Sequence, residues 1–197
     1  MKKIVVGISG ASGTIYGVRL LEALHALDDV EVHLVLSRWA KENLAIEEIG
    51  YTFTEVKQLA DYVYSEQNMG ATIASGSFLH DGMVIVPASM KTVAAVATGL
   101  GDNLIARAAD VTLKEQRKLI VVPRESPFNQ IHLENMLKLS KMGVSIVPPI
   151  PAFYNNPKTI DDIVNHSVMK ILDQLHLRNE VSPRWEGLQS AKQTKSK

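Results

Sequence analysis

The sequence predicts an α/β fold, a single domain built on a doubly wound parallel sheet. Two observations carry this. Short, nearly all-apolar, β-branched runs alternate with longer helical patterns, as expected of parallel strands covered on both faces. At 197 residues, 46% of them hydrophobic, the chain can also bury one good core but not two comfortable ones.

Strands are expected at Ile4–Ile8, Val32–Leu36, Met83–Val86, Leu119–Val122 and Val144–Val147. Between them lie helices at about Ile15–Leu27, Arg38–Glu48, Met90–Thr98, Asn103–Glu115 and Asn129–Met142. The stretch Gly50–Gly82 reads as a short helix near Thr54–Ala60 and then a turn-rich segment, Ser75-Gly76-Ser77, leading into the next strand. The last helix, about Ile160–Leu175, has the clearest periodicity: Ile160, Ile163, Val164, Ser167, Val168, Ile171, Leu172 and Leu175 share one stripe. Thr159 can cap it, and Asp161 and Asp162 suit its first turn. Residues 1–176 are expected to form the folded domain. Residues 177–197 read as a polar tail with a disordered basic end at Ser190–Lys197.

The 21 basic and 21 acidic residues cancel, so no global field draws the chain to nucleic acid or an anionic membrane. Any bound anion must be held locally. The absence of cysteine removes disulfides, thiolate nucleophiles and cysteine-based metal sites, and fits a reducing cytoplasm. The apolar start is interrupted by Gly7, Gly10 and Gly13 too early for a signal peptide, and no segment has the apolar length of a membrane span. The six histidines, His25, His33, His80, His132, His166 and His176, lack metal-ligand spacing and read as structural or surface residues. A Ser-His-Asp hydrolase is poorly supported, because there is no G-x-S-x-G elbow.

In an open parallel sheet, ligands bind outside the carboxyl ends of the strands. The residues that follow each run are Ser9-Gly10-Ala11-Ser12-Gly13, Ser37, Ser89-Met90-Lys91-Thr92 and Pro123-Arg124-Glu125. The first segment lets the backbone pass close to a ligand and opens a helix whose free N–H groups attract phosphate. It is neither G-x-G-x-x-G nor a P-loop, and a tight turn without ligand is the alternative. Ser89 can cap a helix while Lys91 and Thr92 add phosphate donors; an ordinary capped helix explains them equally well. Arg107 and Lys114 share a helical face, with Asp110 placed for a solvated ion-pair ladder. Arg124 and Glu125 suit either a phosphate clamp with a proton donor or a structural ion pair.

Further segments complete a pattern: Arg107-Ala108-Ala109-Asp110-Val111, Leu113-Lys114-Glu115, Ile131-His132-Leu133-Glu134-Asn135-Met136-Leu137, Pro151-Ala152-Phe153-Tyr154 and Arg184-Trp185. Together with the strand-end segments, they make the chain resemble, over nearly its whole length, the flavin prenyltransferases associated with ubiquinone-pathway and aromatic-acid decarboxylases. The Ser-Met-Lys-Thr turn and the Ser77-Phe78 start are most similar to the branch encoded beside phenolic and hydroxyaryl acid decarboxylases. The resemblance implies a Rossmann-like flavoprotein in which Gly10, Ala11, Ser12, Ser37, Ser89, Met90, Lys91, Thr92 and Arg124 contact FMN. It implies that Arg107, Lys114, Glu125, Tyr154 and Lys170 surround the phosphate of dimethylallyl phosphate, and that Glu47 and Trp185 complete the pocket. Part of that pocket is built between subunits of a large homo-oligomer, a dodecamer for example.

The implied reaction is metal-independent. The allylic C–O bond breaks, cations at Arg107, Lys114 and Arg124 stabilise the departing phosphate, and the dimethylallyl group joins N5 and then C6 of reduced FMN. Glu125 shuttles protons through the phosphate and Ser12 handles the N5 proton. The product, prenylated FMN, serves a partner decarboxylase. Two positions depart from the family pattern: Lys170 stands where arginine is common, and Met69 where some relatives have tryptophan. Two other readings stay open, an FMN-dependent phenolic acid decarboxylase or its subunit, and a non-catalytic flavin carrier.

Overall fold

The computed structural model describes residues 1–185 and 187, so the basic end expected at Ser190–Lys197 lies outside the described residues. Six parallel strands form one sheet: β1 (Lys2–Ile8), β2 (Val30–Leu36), β3 (Tyr62–Ser65), β4 (Gly82–Ala88), β5 (Leu119–Pro123) and β6 (Ser145–Ile146). Their spatial order is β3-β2-β1-β4-β5-β6, with Ile4 opposite Val32 on one side and Gly82 on the other. The helices are α1 (Thr14–His25), α2 (Arg38–Ile46), α3 (Phe53–Gln58), α4 (Met90–Thr98), α5 (Leu104–Lys114), α6 (Gln130–Lys141) and α7 (Ile160–Gln174).

Alternate residues of each strand feed two cores, because side chains in a strand point to opposite faces. On one face Ile4, Val6 and Ile8 of β1 pack with Leu20, Leu21 and Leu24 of α1 and Val168, Ile171 and Leu172 of α7. On the other, Val5, Met83 and Ile85 pack with Val93 and Val96 of α4, Ile105 and Ala109 of α5 and Leu139 of α6. Consequently α5 and α7 stand on opposite sides of the sheet.

All the expected strands and helices form, with ends shifted by a few residues. Strand β3 was not expected. Tyr62, Val63 and Ser65 are exposed on a four-residue edge strand, so the alternation of a half-buried strand is missing from the sequence. Strand β6 is shorter than expected. The stripe on α7 buries Val164, Val168, Ile171 and Leu172, but Ile160 is 79% exposed because the first turn extends past the core. Thr159 caps α7 as expected, accepting from the Asp162 N–H at 3.1 Å while Asp162 accepts from the Thr159 N–H at 2.9 Å. Among the described residues no helix is long and apolar enough to cross a membrane, and no group of three or more His, Asp or Glu is placed to hold a metal.

Candidate functional site

Strand order reverses between β1 and β4, and a crevice opens there beyond their carboxyl ends. Ser9 stitches its two sides together. Its Oγ donates to the Pro87 carbonyl at 3.0 Å and accepts from the Ser89 N–H at 2.8 Å. The Ser37 N–H reaches the Ile8 carbonyl at 3.0 Å and the Arg124 N–H reaches the Ala88 carbonyl at 3.1 Å, so the ends of β1, β2, β4 and β5 form one rigid rim. A cleft of about 440 Å³ sits on it, lined by Ser9, Gly10, Ser37, Trp39, Ser89, Lys91 and Thr92, among others.

One wall of the cleft is the first turn of α4. Ser89 Oγ accepts from the Thr92 N–H at 3.3 Å and lies 3.0 Å from Thr92 Oγ1. The N–H groups of Met90 and Lys91 have no acceptor within the helix, which leaves a positive helix end open to the cleft. Lys91 makes no ion pair among the described residues. Ser37 caps α2 in the same way, accepting from the Ala40 N–H at 3.0 Å.

The first-strand loop departs from expectation. Gly13 adopts the left-handed conformation, with φ of 94°, and opens α1 without a side-chain cap from its own residue. The cap comes instead from Glu47, which accepts from the Gly13 N–H at 2.7 Å, the Thr14 N–H at 2.8 Å and Thr14 Oγ1 at 2.6 Å. These donors are therefore committed to a carboxylate of the chain itself, whereas the first turn of α4 keeps free N–H groups on this rim. Gly10 is also explained locally, since a Cβ there would stand 2.4 Å from Trp39 Cβ. Ala11 is buried and Ser12 exposed at the lip. Trp39, which sequence reasoning missed, is a large exposed ring directly after the Ser37 turn. Its position at a strand's carboxyl end was the available signal.

Burial works to raise the Glu47 pKa, but hydrogen bonds from Thr14, Gly13 and Ser12 outweigh it and hold the carboxyl below its ordinary value of 4.5. A depressed carboxyl contributes stability above the unfolded-state pKa and loses it as pH falls through the folded one. Glu47→Gln should therefore lower the melting temperature near pH 7 by about 3 °C, the size of a lost cap in a chain of this length. The difference from the parent should close below pH 4.5. Thermal melts across pH test this, and a gap that persists in acid would assign the effect to packing.

Arg124 Nε donates to the Ser12 carbonyl at 3.1 Å, and its terminal nitrogens make no ion pair among the described residues. The Arg124–Glu125 ion pair weighed from sequence is not formed, and exposed Glu125 instead accepts from the Ser126 N–H at 3.0 Å. Arg107 does pair with Asp110, at 2.8 Å, and donates to the Ala74 carbonyl at 3.3 Å. Lys114 pairs with Glu115, not with Asp110, so the expected ladder is only half made. The Lys114–Glu115 pair presses against Gly76, where a Cβ would stand 2.7 Å from Lys114 Nζ.

Tyr154, Lys170 and Trp185 gather elsewhere, around α7. The Tyr154 ring meets the Trp185 ring edge-on at 5.8 Å and the His166 ring at 5.5 Å. Trp185 is held there by its neighbour: Arg184 makes two hydrogen bonds to Asp173, at 2.7 and 3.0 Å. Lys170 is exposed on α7 and makes no ion pair among the described residues. Within one chain, the Arg107 and Lys114 group lies across the sheet from the Tyr154 and Lys170 group, and no hydrogen bond or ion pair joins them among the described residues.

Comparison with known proteins places this geometry in context. Residues 1–172 match the family model described as Flavoprotein. The chain is similar to Flavin prenyltransferase LpdB of Lactiplantibacillus plantarum, with 65% identity over 187 residues covering 95% of this chain and 100% of that protein. Among solved structures, it superposes on a dodecameric FMN-dependent UbiX-like decarboxylase of Escherichia coli O157:H7 with a TM-score of 0.92 and 52% identity, covering 94% of this chain and 100% of the other. It also superposes on AnUbiX (PadA1) in complex with FMN and dimethylallyl pyrophosphate, with a TM-score of 0.92 and 45% identity, covering 95% of this chain and 98% of the other.

Proposed function

The chain belongs to the flavin prenyltransferase family, and from that membership we propose which of its residues do the work and how. It is a prenyltransferase that joins the dimethylallyl group of dimethylallyl phosphate to reduced FMN, giving prenylated FMN for a partner aromatic-acid decarboxylase. The observation that carries this is the crevice at the strand reversal, whose free helix end at Ser89–Thr92 suits one terminal phosphate.

In this reading, Ser89, Met90, Lys91 and Thr92 hold the FMN phosphate, and Gly10, Ala11, Ser12, Ser37 and Arg124 line the rest of the flavin site. Trp39 joins them as part of the cleft wall. Reduced FMN, when bound, supplies the N5 nucleophile and the adjacent C6 at which the ring closes. Arg107, Lys114 and Lys170 bind the prenyl phosphate and stabilise the negative charge that grows on it as the C–O bond breaks. Tyr154 donates a hydrogen bond to it, and Trp185 walls the prenyl side against water. Glu125 moves protons to and from the phosphate, and Ser12 Oγ handles the proton at N5. Glu47 contributes by fixing the loop that carries Ser12. Arg107 and Lys114 keep acidic neighbours in Asp110 and Glu115, which the phosphate displaces as their partner.

The opposite-face placement of α5 and α7 requires a second copy to bring Lys114 beside Tyr154. A closed homo-oligomer such as a dodecamer supplies that neighbour. We assign residues 1–176 to the flavin-binding domain and 177–197 to a tail completing the site near Trp185, in a cytoplasmic protein. Mass spectrometry of the flavin after anaerobic incubation of reduced FMN, dimethylallyl phosphate and the protein tests the activity. A gain of one C5 unit is expected. An unchanged flavin mass, together with decarboxylation of a phenolic acid by this chain alone, would favour the decarboxylase reading.

A further inference from the structure

We propose that His166 is a positioning residue that turns the hydroxyl proton of Tyr154 toward the substrate phosphate, an inference that rests on Tyr154 contacting that phosphate. His166 lies on α7 and is 5% exposed. Its Nε2 is 3.3 Å from the Tyr154 hydroxyl, and its Nδ1 is buried with no hydrogen-bond partner.

That asymmetry selects the tautomer. With the proton on Nδ1, a buried N–H has no acceptor, and Tyr154 must spend its single O–H on Nε2. With the proton on Nε2, the ring donates to the Tyr154 oxygen, and only an acceptor lone pair is left bare at Nδ1. An orphaned buried N–H is the rarer and costlier case, so the second arrangement holds. Burial and then the nearby Lys170 charge both depress the His166 pKa, which keeps the ring neutral.

The consequence falls on Tyr154. With its oxygen occupied by the His166 N–H, its own proton turns away from the imidazole, while the Trp185 ring packs edge-on against the Tyr154 ring. Lys170 follows His166 by four residues, so it lies on the same face of α7. A phosphate oxygen held by Lys170 is the matching acceptor. A phenol whose oxygen is fixed by a donor is thus made a hydrogen-bond donor itself, which suits a dianion.

The test is the KM for dimethylallyl phosphate in prenylation of reduced FMN by the intact oligomer. His166→Gln places an amide N–H near the Nε2 position and should stay within about threefold of the parent. His166→Asn places it near Nδ1, and His166→Met keeps volume without an N–H. Both should raise KM about tenfold, with a smaller change in kcat and unchanged FMN binding. In a Tyr154→Phe background, the Asn and Met substitutions should add nothing further. Equal effects with and without the Tyr154 hydroxyl, or no rescue by Gln, would overturn the proposal. A Tyr154→Phe variant with parental KM would instead sink the placement of Tyr154 on the phosphate.

Discussion

Glu125→Gln is expected to slow prenyl transfer by about 100- to 10,000-fold while leaving FMN binding intact, the usual cost of removing a positioned general acid or base. Glu125 stands at the carboxyl end of β5, next to Arg124, which reaches the first-strand loop through the Ser12 carbonyl. The two residues are not paired with each other, so neutralising Glu125 does not release Arg124 from an ion pair. Among the described residues, the hydrogen bond at stake is the one from the Ser126 N–H, which a glutamine oxygen can also accept. Binding and chemistry should therefore separate cleanly. An anaerobic single-turnover assay with saturating dimethylallyl phosphate measures the step, and unchanged turnover would reduce Glu125 to a turn-closing residue.

A second large effect is expected from mixing two impaired variants. Lys114→Ala and Tyr154→Phe should each impair the prenyl-phosphate half of the reaction, Lys114→Ala the more severely. The two positions are on opposite faces of the same sheet, so in the proposed site Lys114 comes from one copy and Tyr154 from another. Co-expression of both variants in equal amounts then leaves about a quarter of the sites with both residues intact, provided subunits assemble at random. Activity of the co-expressed oligomer should recover toward that fraction, far above either variant alone. No recovery, with mass spectrometry showing mixed oligomers, would show that each site is built within one chain.

Much of this arrangement was legible in the sequence because periodicity and strand ends are local properties. The apolar run Ile4–Ile8 fixes β1, and whatever follows it must sit at the ligand edge of a parallel sheet. The same logic puts Ser37, Ser89 and Arg124 at strand ends, where the structure has them. What the sequence concealed depends on partners far along the chain. Glu47 caps a helix thirty-odd residues before it, so the end of the loop beginning at Ser9 reads as an open anion site, whereas its Gly13 and Thr14 N–H groups are already taken. Strand β3 escaped notice because an edge strand exposed on Tyr62 and Val63 carries no burial pattern. His166 reads from the sequence as an isolated histidine, since nothing local marks a ring that meets Tyr154 twelve residues away.

The double hydrogen bond of Ser9 also bears on how this enzyme could be redesigned. Its Oγ ties the loop after β1 to the turn that starts α4, so the two walls of the crevice are mechanically one piece. Loop grafting that respecifies one wall while leaving the other untouched would inherit a misfit at Ser9. Because this buried hydroxyl both donates and accepts, no apolar replacement satisfies the Pro87 carbonyl and the Ser89 N–H together. Variation aimed at a different flavin or a longer prenyl donor is thus best sought at the outer residues, Trp39 and Trp185, where side chains meet solvent and can change without prying the rim apart.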